Sequence, residues 1–173
     1  IHAARPGGLS PSRVADLVTP LLDVLEYLHG NDVLHRDIKP SNIRITLGGD
    51  PVLVASGAAR TPKISADDGG PPISSYRIVA DGSSPNEAYV AGTKIGPASD
   101  LYALAATMYC AITGQPPLPA DERAARRAMD EPDPYEALVR RAPDHAPALL
   151  QLIDDAMQMR LGDRPPSVAA WRE

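Results

Sequence analysis

The 173-residue chain has no phenylalanine, one tryptophan and one cysteine, and each shortage narrows what it can be. With Cys110 alone, no internal disulfide can close and no cysteine-rich zinc site can be built. A reducing cytoplasm is the simplest compartment for such a chain. No apolar run approaches the roughly 18–20 residues of a membrane span. Basic residues are also scarce: 17 Lys and Arg stand against 22 Asp and Glu, for a net charge of -5. That balance argues against a general nucleic-acid or anionic-membrane surface, which needs clustered cations. Without phenylalanine the core must be filled by Leu, Val, Ile, Ala and Met. The supply suffices, because 43% of the residues are apolar, and the length suits one domain better than two. The chain opens Ile1-His2 with neither Met nor a signal-like stretch, which reads as a piece of something longer.

The first strong element begins at Ser10-Pro11, a capping residue followed by a proline suited to a first turn. Val14, Leu17, Val18, Leu21, Leu22, Leu25 and Leu28 then recur at helical spacing, with Pro20 expected to kink the helix or be tolerated. Gly30, in His29-Gly30-Asn31, is the expected left-handed stop. Ile43 and Ile45, then Val52 and Val54, alternate on either side of Gly48-Gly49-Asp50 and predict a small hairpin. Residues 61–75 carry the Pro, Gly, Ser and Asp of a surface loop. A second helix is expected from a cap at Ser99 or Asp100 to Gly114, apolar almost all round and therefore buried. Further helices are expected near 120–129, 146–160 and 166–172, giving a mainly helical domain with one strand pair.

The chemistry lies in Val33-Leu34-His35-Arg36-Asp37-Ile38-Lys39-Pro40-Ser41-Asn42-Ile43. A lone His-Arg-Asp would read as a turn whose side chains cap the backbone. Here the whole pattern follows an amphipathic helix and precedes a hairpin, and it resembles the H-R-D-x-K-x-x-N loop of bacterial-type protein serine/threonine kinases. The resemblance implies that Asp37 orients the substrate hydroxyl, that Lys39 meets the transferring phosphate, and that Asn42 ligates magnesium. Arg36 matches the arginine that receives a phosphate from the activation segment, and His35 a structural position.

The likeness runs on in order. Val52-Leu53-Val54-Ala55-Ser56-Gly57-Ala58-Ala59-Arg60 is similar to x-L-x-D-F-G-x-A-R. Glu87 matches the glutamate of A-P-E. Gly96-Pro97-Ala98-Ser99-Asp100-Leu101-Tyr102-Ala103-Leu104 resembles the opening of the central helix, whose aspartate, here Asp100, ties down the catalytic loop. Arg164 matches the arginine that pairs with the glutamate, so Glu87 and Arg164 are expected to meet. The implied fold is a kinase C-terminal lobe over residues 1–173, with the activation segment at about 55–87. Nothing resembles the Gly-rich loop, strand lysine or helix-C glutamate of an N-terminal lobe.

Two positions break the pattern. Ala55 stands where the family carries the D-F-G aspartate that chelates magnesium, and alanine offers no oxygen. Ser56 replaces the phenylalanine beside it. Ala80 stands where these kinases usually carry the threonine that bonds the residues equivalent to Asp37 and Lys39. Two losses around one site favour a natural pseudokinase over an engineered knock-out: a signalling module that binds a protein partner, with ATP and magnesium expected for the family but doubtful here. The alternative is an active kinase that phosphorylates protein Ser/Thr with Asp37, Lys39 and Asn42.

The surface around Glu136–Arg141 and the helices near 120–160 are candidate docking faces. Thr61, Ser65, Ser74 and Ser75 are either ordinary loop residues or phosphorylation sites facing Arg36. His2, His29 and His145 read as isolated, with no metal-ligand spacing. Tyr102 and Tyr109 are expected in the core. Arg123-Ala124-Ala125-Arg126-Arg127 reads as a solvated basic face.

Overall fold

Serine and proline start the first helix as their chemistry suggests. Ser10 is extended, its hydroxyl accepts the Arg13 N–H, and α1 runs unbroken over Pro11–Gly30, passing through Pro20. A computed structural model describes residues 8–54, 82–90 and 93–173. The readings placed on Ala55, Ser56, Gly57, Ala80, residues 61–75 and His2 lie outside the described residues.

Val14, Leu17, Val18, Leu21, Leu22 and Leu25 are all buried along one stripe of α1. Each such side chain is worth about 1.5–3 kcal/mol when withdrawn from water. Gly30 is not the left-handed stop. It is the last helical residue, Asn31 caps the end, and the positive φ falls at Asp32 (57°). Aspartate tolerates this region better than most side chains, so the stop moves two residues on.

A short 3-10 turn over Pro40–Asn42 leads into β1 (Ile43–Ile45), which pairs antiparallel with β2 (Pro51–Leu53). Ile43 faces Leu53 and Ile45 faces Pro51. The Val54 N–H reaches the Asn42 carbonyl at 2.8 Å, which fastens the hairpin to the turn before it.

A one-turn helix, α2 (Asn86–Tyr89), precedes the central helix α3 (Pro97–Thr113). Of α3, Ala98 through Tyr109 are buried without a break, as an all-round apolar helix requires. The expected cap at Ser99 or Asp100 is wrong by three or four residues: Gly96 caps the helix, and Ser99 Oγ accepts the Gly96 N–H at 3.2 Å. Gly114 ends it at φ 75°, where a side chain would be strained.

Then follow α4 (Ala120–Ala128), α5 (Leu138–Arg141), α6 (Pro147–Ala156) and α7 (Val168–Arg172). Helix α3 packs between α1 and α6, and α7 closes over both of these. Trp171 Nε1 donates to the Leu152 carbonyl, which fixes α7 on α6.

Two surface readings are corrected. Arg123 is only 2% exposed and is no part of a solvated face, although Arg126 and Arg127 are exposed. Its guanidinium grips Asp133 through Nε (2.9 Å) and Nη2 (2.8 Å), gives Nη1 to Tyr102 Oη and the Met157 carbonyl, and lies over the Tyr135 ring. Within 136–141, Leu138 is fully buried, so that stretch is as much anchor as surface.

Candidate functional site

The site begins with one carboxylate. Asp100, in the first turn of α3, is 1% exposed and accepts three bonds from residues far back in the chain. The His35 N–H reaches Oδ2 at 2.8 Å, the Arg36 N–H reaches Oδ1 at 2.8 Å, and His29 Nε2 lies 2.9 Å from Oδ2. His29, read from sequence as isolated, therefore joins the end of α1 to α3 and to the loop. His145 is not isolated either, with Nε2 3.3 Å from the Leu9 carbonyl.

Held by these bonds, Arg36 takes φ 64°, a left-handed conformation uncommon for a side chain of its size. The turn throws the next residue, Asp37, inward, where it is 4% exposed. Lys39 Nζ lies 2.7 Å from Asp37 Oδ1. Asn42 Nδ2 donates at 2.8 Å both to Asp37 Oδ2 and to the Asp37 carbonyl. The structure thus brings Asp37, Lys39 and Asn42 into one contact group.

His35 is buried behind the loop. Its Nδ1 accepts the Asp37 N–H at 3.3 Å, so the proton of the neutral ring sits on Nε2. Burial holds the imidazole below its ordinary pKa and outweighs the carboxylates of Asp100 and Asp37, which pull it up.

Glu87 and Arg164 do meet. Arg164 Nη1 lies 2.7 Å from Oε1, Nη2 lies 3.0 Å from Oε2, and Ser99 Oγ donates to Oε1 at 2.8 Å. Arg164 also rests over the Tyr102 ring, 4.6 Å from its centroid, and Tyr102 is fully buried, as expected of a core tyrosine. This anchors the segment 82–90 against α3. Gly82 lets that segment approach closely, because a Cβ there would sit 2.7 Å from the Pro117 carbonyl.

Between the segment and the loop lies a small cleft whose walls include Arg36, Asp37, Ser83, Ser84, Ile95 and Ser99. Ser83 and Ser84 are lining residues that carry no motif signal of their own.

The donor set speaks to magnesium. Among the described residues no group of three His, Cys, Asp or Glu side chains could hold a metal ion. Asn42 turns its amide nitrogen to Asp37, which leaves one neutral oxygen facing elsewhere. Magnesium favours carboxylates in a near-ideal octahedron. The described residues do not fit it.

Comparison with known proteins adds the context. A family model described as a protein kinase domain matches residues 2–172. The chain is 42% identical over 113 residues to "Serine/threonine-protein kinase PknA" of Nostoc sp., a match covering 64% of this chain and 20% of that protein. It is 32% identical over 179 residues to "Serine/threonine-protein kinase pkn3" of Myxococcus xanthus, covering 98% of this chain and 32% of the relative. A solved structure described as "PpkA-294 apo form" superposes with a TM-score of 0.75 at 30% identity, over 94% of this chain and 53% of its own. The chain spans between a fifth and a third of the length of these two curated relatives.

Proposed function

We propose that this chain, which belongs to the protein kinase domain family, is the C-terminal lobe of a serine/threonine kinase homologue and acts as a regulatory or interaction module rather than as a catalyst. In this reading residues 1–173 form the lobe and about 55–87 its activation segment. Asp37, Lys39 and Asn42 occupy the catalytic positions, Arg36 the phosphate-receiving one, and His35, Glu87, Asp100 and Arg164 hold the lobe together.

The observation that carries the reading is the donor set. The family generally uses ATP and magnesium, and phosphoryl transfer depends on the metal to neutralise charge on the phosphates. Ala55 supplies no oxygen, and Asn42 supplies a single neutral one. Losing a metal ligand and its charge removes about 4 kcal/mol of transition-state stabilisation, roughly a thousandfold in rate. What remains is a folded surface whose partner is a protein, in a cytoplasm suited to a lone cysteine. No described helix is long and apolar enough to cross a membrane.

The second reading, an active Ser/Thr kinase, draws on the close contact of Asp37, Lys39 and Asn42. Thermal shift of the full-length protein with ATP, with and without magnesium, separates the two when paired with a phosphate-transfer assay. The regulatory reading expects no magnesium-dependent shift and no transfer. Magnesium-dependent stabilisation with transfer that vanishes in Asp37→Asn would replace it with the active kinase.

A further inference from the structure

We propose that the Arg123–Asp133 and Arg164–Glu87 pairs form one coupled unit, through which the surface stretch 131–137 sets how firmly the cleft wall at 82–90 is held. The proposal goes beyond the regulatory reading and holds whether or not the chain transfers phosphate.

The two arginines lie on different parts of the chain, Arg123 on α4 and Arg164 beyond α6, yet they share their supports. Both touch Tyr102. Arg164 lies over its ring, 4.6 Å from the centroid, and Arg123 Nη1 donates to its Oη at 3.3 Å. Both also grip the turn that follows α6. Arg123 Nη1 donates to the Met157 carbonyl at 3.1 Å, Arg164 Nε to the Gln158 carbonyl at 2.6 Å, and Arg164 Nη2 to the Met159 carbonyl at 3.1 Å. Three consecutive carbonyls and one buried phenol are thus divided between two guanidiniums. Groups fixed jointly in this way respond together, because neither arginine can leave without changing what the other rests on.

The unit has an outer and an inner end. The side chains of Arg123, Arg164 and Glu87 are 2%, 0% and 9% exposed, whereas that of Asp133 is 29% exposed. Asp133 belongs to the irregular stretch 131–137 and accepts the Tyr135 N–H as well as the Arg123 guanidinium. Glu87 belongs to the segment whose Ser83, Ser84, Pro85 and Ala88 line the cleft with Asp37. A guanidinium stays charged, so Arg123 deprived of Asp133 becomes a buried cation without its carboxylate. Moving toward water relieves it and withdraws its bonds from Tyr102 and Met157. The ledge under Arg164 then loosens, and Glu87 and the cleft wall loosen with it.

Hydrogen exchange of the full-length protein tests this at two amides. That of residue 135 bonds Asp133 at 3.0 Å, and that of Ala88 bonds the Pro85 carbonyl at 2.9 Å. Asp133→Asn should speed both, Ala88 by about fivefold or more, the low end of couplings between linked sites. Tyr135→Phe cuts the tie to Asp154 and leaves Arg123 on Asp133. It should speed residue 135 and leave Ala88 at the parent rate. Unchanged exchange in α1 establishes that both variants are folded and the response local. An Ala88 amide unmoved by Asp133→Asn, or moved as much by Tyr135→Phe, would overturn the proposal. Should Asp133→Asn not fold, Asp133→Glu, which keeps the charge but displaces the guanidinium, is read in the same way. Neither result bears on the regulatory reading, which phosphate transfer decides.

Discussion

The buried charges fall into two sets that differ in how far along the chain each finds its partner. In the framework, Glu87 meets Arg164 across 77 positions, and Asp100 meets His29 across 71 and the backbone of His35 across 65. In the loop, Asp37 meets Lys39 two residues on and Asn42 five residues on. Framework pairs exist only when distant elements are assembled, so their strength belongs to the fold. Loop pairs are local and depend on the fold only through the turn that presents them. The two are physically separable, so each can be broken by substitution without breaking the other.

The largest effect should come from breaking the framework at its most buried pair. Arg164→Met takes the guanidinium away from the buried Glu87 carboxylate, to which Ser99 Oγ still donates. It should cost about 3–5 kcal/mol in urea denaturation, in line with severed buried ion pairs. A cost under ~1 kcal/mol would mean that the framework does not rest on this pair.

Asp100→Asn keeps the shape but removes the charge that receives three donors. It should cost roughly 2 kcal/mol and speed hydrogen exchange at the Arg36 amide. If exchange there is unchanged while global stability drops, the framework does not hold the loop.

The smallest effect is a matter of pH. His35 is buried neutral with its pKa below the ordinary value. The unfolded chain takes up the proton near roughly 6.5, and the folded one resists. Stability is therefore full above that value and falls as the pH drops through it. A His35→Gln variant should lose this acid slope, and a parent whose stability is flat between neutral pH and 5 would refute it.

The apolar pattern made α1 and α3 legible, because a stripe of seven apolar residues and a helix apolar almost all round are long enough to average out exceptions. The loop was legible through its resemblance to the H-R-D-x-K-x-x-N pattern, and the structure does bring Asp37, Lys39 and Asn42 together. Four-residue helices such as α2 and α5 show too little of a period to be seen. Arg123 was misread for a different reason. In Arg-Ala-Ala-Arg-Arg it resembles its neighbours, and its burial is decided by Asp133, Tyr102 and Tyr135, which no local pattern links to it. His29 was missed likewise, since a lone histidine at a helix end announces nothing about a carboxylate 71 residues later.

Arg36 gives the comparison a sharper edge. Its backbone angle would suit glycine, yet the residue is among the bulkiest available. A left-handed arginine costs about 1 kcal/mol or more, and the Asp100 bonds must supply that before they stabilise anything else. Arg36→Gly would thus relax the main chain while deleting the guanidinium, so the two demands at this position pull in opposite directions. The loop is a cocked joint: the side chain is kept at the expense of backbone ease, and Asp100 is the catch that holds it.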